Sequence, residues 1–269
     1  MFNELIKHIG NRQIVLLGES AHGIMEQNQL RIDLIKLLNK ELGFKHLLIE
    51  SVKSPISHKE FLKIHSIDYL KNFLHNVYHT EEMIPLVELA KESKLQIDGF
   101  EIEGADLEKY FEMKKVNDRD SRTFRDKTMF DNFKKLMDDK IKSDKVIIWG
   151  HNAHMMKKVS KGAYRDKVFG EYVKETYGDR SIVVGQYTGS GEIEHMPHQK
   201  RKLLQEKHSI EEYIIKTIEG IKVFPTLDED IFMKPIKNMF CGGEIEELIL
   251  ADHFDSLILH EKGSAPSRL

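Results

Sequence analysis

The chain has 269 residues, of which 40% are hydrophobic and 32% are charged. This composition is typical of a soluble globular protein with a charged surface, and the length suffices for a full core. The 41 basic and 44 acidic residues leave a formal net charge of −3, so no overall field favours nucleic acid or an anionic membrane. We therefore expect neither as a partner.

The single cysteine, Cys241, rules out an internal disulfide and a cysteine-rich zinc site. We interpret it as a structural thiol rather than a nucleophile. The first ten residues lack a long apolar core after a basic segment, so no secretory signal is expected. No stretch approaches the ~20 apolar residues of a membrane span. Together these features favour a cytoplasmic protein.

The first half of the chain alternates predicted strands and helices. The order is a helix over 1–9, a strand over 13–17, a helix over 25–42, a strand over 46–49, a helix over 82–92 and a strand over 96–100. The apolar runs of the strands are unbroken, which is typical of parallel strands that are covered on both faces. Gly43 stands where a helix terminator is expected.

The second half continues the same pattern. It predicts a long charged helix over 121–141, a strand over 146–149, a helix over 164–177, a strand over 181–187, a flexible loop over 188–192, a helix over 208–218, a short strand over 223–224 and a last strand over 254–259. Alternation of this kind indicates an α/β fold with a mostly parallel central sheet flanked by helices. We find no repeat or linker, so residues 1–269 are interpreted as one domain.

Titratable side chains follow four of the predicted strands directly. They are Glu19 and His22, then Glu50, then Glu101 or Glu103, and finally His151 with His154. In an open parallel sheet, ligands bind at the carboxyl ends of the strands. We therefore expect these groups to line one pocket.

The chemistry that these residues allow is activation of water. The sequence has no nucleophile elbow, Walker sequence, dinucleotide glycine fingerprint or His-Glu-x-x-His helix, and nothing local marks Ser20 as a nucleophile. Imidazole titrates near neutral pH, so His22 or His151 can act as a general base when a carboxylate orients it. Hydrolysis is the first hypothesis.

Two alternatives use the same residues. His22, Glu50, His151 and His154 form a nitrogen and oxygen set that can also bind a divalent metal, which predicts a metal-dependent hydrolase. The second alternative is a protein that binds a small molecule without turnover. Arg31, nine residues after His22, can return to the crevice and steady a carboxylate or an oxyanion.

The order of several short motifs resembles the erythromycin esterase family along most of the chain. The motifs are Gly18-Glu19-Ser20-Ala21-His22-Gly23, Arg31, Ile49-Glu50-Ser51, Gly99-Phe100-Glu101, Arg125-Asp126 with Met129, Gly150-His151-Asn152-Ala153-His154 and Phe254-Asp255-Ser256-Leu257. The two histidine motifs and the correctly spaced arginine are the more specific of these. Where that family usually has an aspartate after Gly-Phe, this chain has Glu101.

The resemblance implies an α/β core with helical additions around a cleft at the carboxyl ends of the strands. It also implies a hydrolase that opens an ester or lactone, including a macrolide-like one, by histidine-activated water without an acyl-enzyme. The chain is shorter than the usual member, which predicts fewer helices around the cleft.

The resemblance also assigns the site. His22 resembles the general base and Glu50 its partner. The catalytic set is His22, Glu50, Glu19 and His151, and the substrate-binding set is Arg31, His154, Glu101 and Arg125. We expect a small-molecule substrate and no cofactor.

Overall fold

The structure, a computed structural model, describes residues 1–160, 163, 165–196, 198–203, 206–239 and 245–269; Cys241 lies outside them. The strands are β1 (Ile14–Glu19), β2 (Phe44–Ile49), β3 (Gln96–Gly99), β4 (Lys145–His151), β5 (Ser181–Met196), β6 (Gln199–Lys202), β7 (Ile221–Phe224), β8 (Pro235–Met239), β9 (Ile245–Ile249) and β10 (Ser256–Gly263). The α-helices are α1 (Asn3–Ile9), α2 (Met25–Leu42), α3 (His58–Phe61), α4 (Ser66–Phe73), α5 (Ile84–Ser93), α6 (Gly104–Val116), α7 (Asp118–Leu136), α8 (Asn152–Met155), α9 (Phe169–Tyr177), α10 (Ile210–Thr217) and α11 (Leu250–His253).

A mostly parallel sheet forms the centre of the fold, as predicted. Its order is β3-β2-β4-β1-β5-β10-β7, in which the first six strands are parallel and β7 runs antiparallel to β10. The distal part of β5 pairs antiparallel with β6, and β8 and β9 form a separate antiparallel pair. The chain therefore has an α/β fold, and the carboxyl ends of β2, β4 and β1 lie side by side.

Both faces of the sheet are covered, which explains the unbroken apolar runs of the strands. In β1, Val15 and Leu17 pack into the apolar cluster that contains Ile35 of α2. Ile14 and Leu16 face the opposite cluster, which contains Phe133 of α7. Because alternate side chains point to opposite faces, every position of β1 is buried. Each fully buried aliphatic side chain contributes about 1.5–3 kcal/mol, which fixes the register of the central strands.

The predicted flexible loop over 188–192 is wrong, because these residues are part of β5. Thr188 pairs with His260 and Gly191 with Gly263 of β10. A Cβ atom on Gly191, whose φ is 120°, would collide with the carbonyl oxygen of Gly263. Glycine stands at this position because two strands approach each other closely there, and not because the chain is flexible.

Other helix and strand boundaries also differ from the predicted ones. The helix expected over 164–177 begins at Phe169, and the long charged helix ends in a π-turn over Met137–Ile141. The sequence analysis did not predict α6, which has no buried residue, or the β8–β9 pair. None of the helices in the described residues combines the length and apolar character that a membrane span requires.

Residues 264–268 cross the loop between β1 and α2, and we call them the carboxyl-terminal clasp. Ser264 O accepts a 2.9 Å hydrogen bond from Met25 N, at the start of α2. Arg268 donates to Asn76 O at 2.7 Å and to the buried carboxylate of Glu194 at 2.7 Å. The clasp therefore joins α2, β5 and the 3₁₀ turn Asn76–Tyr78 around the residues that follow β1.

Candidate active site

The carboxyl ends of β1 and β4 place two of the predicted residues next to each other. The register of this parallel pair sets Gly18 opposite Gly150 and Glu19 opposite His151. Glu50 follows β2, the other neighbour of β4, and its backbone N–H donates to Trp149 O at 2.8 Å. Side chains from three separate strand ends therefore share one edge of the sheet.

The two paired glycines leave room for polar side chains between the strands. A Cβ atom on Gly18 would collide with Oδ1 of Asn152. A Cβ atom on Gly150 would lie 2.8 Å from Oε2 of Glu50. Glycine is therefore favoured at both positions, because a side chain at Gly18 would displace Asn152 and one at Gly150 would displace Met155 and Glu50.

His22, Glu19 and Arg31 form a chain of charged hydrogen bonds. His22 Nδ1 lies 2.6 Å from Glu19 Oε1, and Arg31 donates to Glu19 Oε2 at 2.7 Å. Arg31 also donates to Gln186 Oε1 at 2.6 Å, and its guanidinium lies 4.2 Å from the centre of the Trp149 ring. Glu19 and Arg31 are fully buried, whereas 22% of the His22 side chain is exposed. Arg31 therefore holds Glu19, and Glu19 holds His22.

This arrangement shifts the pKa values of both partners. Burial alone would raise the pKa of Glu19, but Arg31 and His22 outweigh it and hold this pKa at about 2. Burial alone would lower the pKa of His22, but the charge and hydrogen bond of Glu19 raise it above 6.5. The pair therefore contains an ionised carboxylate at neutral pH and an imidazole with increased basicity.

Nδ1 of His22 donates to Glu19, so the lone pair of the neutral ring is on Nε2. Within the described part of the chain, Nε2 has no hydrogen-bond partner, whereas both ring nitrogens of His151 and His154 are engaged. His22 is therefore the imidazole of this cluster that can accept a proton.

Arg125 of α7 joins two carboxylates. It donates to Glu50 Oε1 at 2.9 Å and to both carboxylate oxygens of Glu101. Burial would raise the pKa of Glu50, but His154 and Arg125 hold it well below its ordinary value. Burial would lower the pKa of Arg125, yet Glu101 and Glu50 raise it. With 26% of its side chain exposed, Arg125 is a cation that a ligand can reach.

A second histidine–carboxylate pair lies on the other side of Glu50. His154 Nδ1 lies 2.7 Å from Asp126 Oδ1, and Arg165 donates to Asp126 Oδ2 at 2.8 Å. Asp126 also accepts from Phe169 N at 3.0 Å. This arrangement repeats that of His22: an imidazole, a fully buried carboxylate and an arginine that holds the carboxylate.

His151 is held in one tautomer by the backbone. Its Nδ1 accepts from Ala153 N at 3.1 Å, so its Nε2 carries the proton and donates to Ser20 O at 2.9 Å. Its backbone N–H donates to Glu50 Oε2 at 2.8 Å. Burial and the nearby His22 lower the pKa of His151 to about 3. His151 therefore fixes the loop that carries His22, and its neutral ring has no uncommitted lone pair.

Tyr78, which the sequence analysis did not select, covers one side of His22. The two ring centres are 6.0 Å apart, and Tyr78 also meets the edge of Trp149 at 5.9 Å. Burial, with the charges of Glu19 and Glu50, raises the pKa of the Tyr78 hydroxyl well above 10. The residue reaches this position on the 3₁₀ turn that Arg268 holds.

The structure brings the predicted side chains together, with three differences in placement. Glu50 was expected to be the partner of His22, but Glu19 holds Nδ1 of His22, whereas Glu50 accepts from Arg125 and from the His151 backbone. Glu101 joins the cluster, whereas the alternative Glu103 is exposed at the start of α6. Arg31 was expected in the crevice wall, but it is fully buried between Glu19, Gln186 and Trp149, because α2 packs against the sheet over this point.

Three residues that hold the site were not predicted from the sequence. These are Asp126, Arg165 and Gln186. The Arg125-Asp126 motif was a signal for the first, and the polar Gln186 within an apolar strand was a signal for the last. Arg165 lies between elements and carried no local signal.

The described residues contain no group of three or more histidine, cysteine, aspartate or glutamate side chains arranged to hold a metal ion. Hydrogen bonds to other groups separate the residues that were predicted to bind a metal, which are His22, Glu50, His151 and His154. The nitrogens of His151 are used by the backbone, and Arg125 lies between Glu50 and His154.

Two comparisons at the level of sequence relate the chain to known proteins. Residues 103–262, more than half of the chain, match the family model described as erythromycin esterase. The Bacillus subtilis (strain 168) protein named "Putative hydrolase YbfO" is 33% identical over 107 residues, which are 39% of this chain and 24% of that protein. The chain therefore aligns with about a quarter of the length of this curated relative.

Three solved structures share the fold. A Bacillus cereus protein has a TM-score of 0.77 and 16% identity, covering 100% of this chain and 93% of its own. A succinoglycan biosynthesis protein has a TM-score of 0.78 and 17% identity, covering 99% and 92%. A mutant of the erythromycin esterase EreC in its open conformation has a TM-score of 0.66 and 14% identity, covering 99% and 94%. With the family match over residues 103–262, the chain belongs to the erythromycin esterase family.

Proposed function

We propose that this protein hydrolyses a carboxylic ester or lactone with water that His22 activates, without an acyl-enzyme. The observation that carries the proposal is the state of His22. Its Nδ1 is held 2.6 Å from ionised Glu19, its Nε2 has no partner among the described residues, and 22% of its side chain is exposed. Membership of the erythromycin esterase family supports the class of reaction.

In this reaction, His22 moves one proton. Nε2 accepts a proton from water while the oxygen of that water forms a bond to the carbonyl carbon. The imidazolium that results is stabilised by Glu19, which faces Nδ1. When the tetrahedral intermediate collapses, Nε2 returns the proton to the leaving alkoxide, so that acid and alcohol are both formed and His22 is neutral again.

Arg125 is suited to the developing negative charge. It is a cation at all relevant pH values, is partly exposed, and is fixed by Glu50 and Glu101. A guanidinium held in this way stabilises an oxyanion without reorganising during the reaction. We assign this role to Arg125, and we assign to Arg31 the positioning of Glu19.

The surroundings of Ser20 favour water over an acyl-enzyme. The Ser20 hydroxyl is buried and accepts from Gln27 Nε2 at 2.9 Å. His151 contacts the carbonyl oxygen of Ser20 rather than its hydroxyl. Among the residues that the structure describes, no base contacts the Ser20 hydroxyl, which is engaged by an amide.

The test is turnover of a panel of esters and lactones, followed as the mass gain of one water. We expect the wild type to hydrolyse at least one member and His22→Ala to lose about 10²- to 10⁴-fold in kcat/KM. His58→Ala is the matched control, because His58 is exposed on α3 and outside the cluster. Equal activity of His22→Ala and His58→Ala, with both folded by circular dichroism, would contradict the proposal.

The same preparation separates the rival functions. A metal-dependent hydrolase would lose activity after dialysis against a chelator and regain it with zinc or manganese. A binding protein would retain ligands from the panel with no mass gain in any of them. The proposal requires turnover that is unchanged by the chelator, with metal analysis showing less than stoichiometric metal.

A further inference from the structure

A cavity lies at the opposite end of the sheet from His22. It has a volume of about 410 Å³ and is lined by Asn11, Gln13, Lys142, Ser143, Lys145 and Arg180. These residues precede or begin β1, β4 and β5, so the cavity borders the amino ends of three neighbouring strands. β1 spans six residues, which separates the cavity from Glu19 by about 20 Å.

Gln13 joins the three segments that form the cavity. Its backbone N–H donates to Arg180 O at 2.9 Å, and its backbone carbonyl accepts from Val146 N at 2.9 Å. Its side-chain Nε2 donates to Lys142 O at 2.8 Å and to Asp144 O at 3.1 Å. The cavity is therefore built by fixed hydrogen bonds rather than by the chance position of long side chains.

Three cationic side chains line the cavity, those of Lys142, Lys145 and Arg180, and two of them lie close to aromatic rings. The Lys145 ammonium lies 5.5 Å from the centre of the Phe44 ring, and the Arg180 guanidinium lies 5.0 Å from that of Tyr177. Contacts of this kind restrict a cation without neutralising it. Both side chains therefore keep a full positive charge beside the cavity.

The nearby acids are engaged by other cations. Asp144 lies 2.9 Å from Lys45 and 3.5 Å from His46, and Asp179 lies 3.7 Å from Lys174. Across the described ranges, Lys142, Lys145 and Arg180 have no ion pair with a carboxylate. In a chain whose formal net charge is −3, this is a local concentration of unpaired positive charge.

The backbone of Lys142 is strained. Its φ is 54° and its ψ is −111°, a conformation that L residues other than glycine rarely adopt. Strain of this kind costs about 1–3 kcal/mol and persists only where the surroundings impose it. The Lys142 carbonyl accepts from Gln13 and the Lys142 N–H donates to Met137 O at 2.7 Å, so that a lysine lines the cavity where a glycine would be less strained.

From this geometry we propose that the cavity binds a small molecule that carries phosphate groups. Three cations and the Asn11 amide offer donors to several phosphate oxygens, and a guanidinium can bind two of them at once. The cavity is open to solvent, and its volume lies in the range of small-molecule sites, which fits a small ligand. This site is independent of the proposed hydrolysis at His22.

The proposal is tested by titrating the purified protein with pyrophosphate in a calorimeter at constant ionic strength. We expect one binding site, with at least a tenfold weaker Kd in the Lys145→Gln/Arg180→Gln double variant. The control is Lys36→Gln/Lys71→Gln, which removes the same charge from exposed positions on α2 and α4 and leaves Kd within twofold.

Citrate at the same concentration separates phosphate recognition from general attraction of anions. Pyrophosphate binding at least tenfold tighter than citrate supports the proposal. No pyrophosphate binding, equal affinities for the two anions, or equal Kd values in both double variants would overturn it.

Discussion

Glu19→Gln removes the negative charge that lies between His22 and Arg31 and leaves the size of the side chain almost unchanged. Glu19 is fully buried and contacts His22 at 2.6 Å and Arg31 at 2.7 Å. The variant leaves the Arg31 guanidinium buried without its counter-charge. Since breaking a buried pair in this way costs about 3–5 kcal/mol, we expect a large loss of stability.

The pKa of Glu19 gives a separate estimate of that loss. The pKa falls from 4.5 to about 2, which corresponds to about 3 kcal/mol of stability from the ionised carboxylate. For a lowered carboxylate pKa, this stability is fully present above pH 4.5 and is lost as the pH falls through 2. The variant should therefore be less stable at pH 7 and should lose less stability than the wild type between pH 4.5 and 2.

The assay is urea unfolding at pH 7 and at steps below pH 5, followed by fluorescence of the buried Trp149. The control is Glu4→Gln, because Glu4 also lies 2.6 Å from its partner, Lys7, but both side chains are exposed. Surface pairs contribute about 0–1 kcal/mol, so this control should change little. A loss below 1 kcal/mol in Glu19→Gln, or equal losses in both variants, would refute the reasoning.

Two further substitutions test other parts of the account. Asp126→Asn removes the charge that faces His154 and Arg165, and should lower kcat/KM by about 10- to 150-fold, which corresponds to about 1.5–3 kcal/mol of transition-state stabilisation. An unchanged kcat/KM would remove Asp126 from the site. Arg268→Gln leaves Glu194, 2% exposed, without its counter-charge and should destabilise the fold by about 3 kcal/mol in urea unfolding. The double variant Arg268→Gln/Glu194→Gln should regain part of that stability. If the double variant is less stable than Arg268→Gln alone, the Arg268–Glu194 ion pair does not account for the loss.

The carboxyl ends of the central strands could be predicted from sequence because the information there is local. An unbroken apolar run with β-branched residues, such as Ile14 to Leu17, bounded by a glycine, is typical of a strand that is covered on both faces, and parallel strands end at the same edge. The polar residue that follows such a run must then lie at that edge. Glu19, Glu50 and His151 could therefore be placed at this edge without any knowledge of the strand order.

The residues that hold the site from other elements could not be predicted in this way. Asp126 lies on a helix whose rotation depends on how Phe133 and Met129 pack, and Arg165 lies between elements. Arg31 follows His22 at a suitable spacing, but only the packing of α2 decides that its charge meets Glu19 in a buried position. The glycines at 189 and 191 suggested flexibility, whereas a Cβ atom on Gly189 would crowd Ile214 of α10 and one on Gly191 would collide with Gly263 of β10.

The central claim is that His22, made more basic by Glu19, is the base that activates water. Its most direct test is the pH dependence of kcat/KM for a hydrolysed ester, measured for the wild type and for Glu19→Gln. Because the neutral form of His22 accepts the proton, activity should rise with pH, with an apparent pKa above 6.5 in the wild type. We expect that pKa to move down in Glu19→Gln, since burial of His22 then acts without the opposing carboxylate. An acid limb with the same apparent pKa in both proteins would contradict the account.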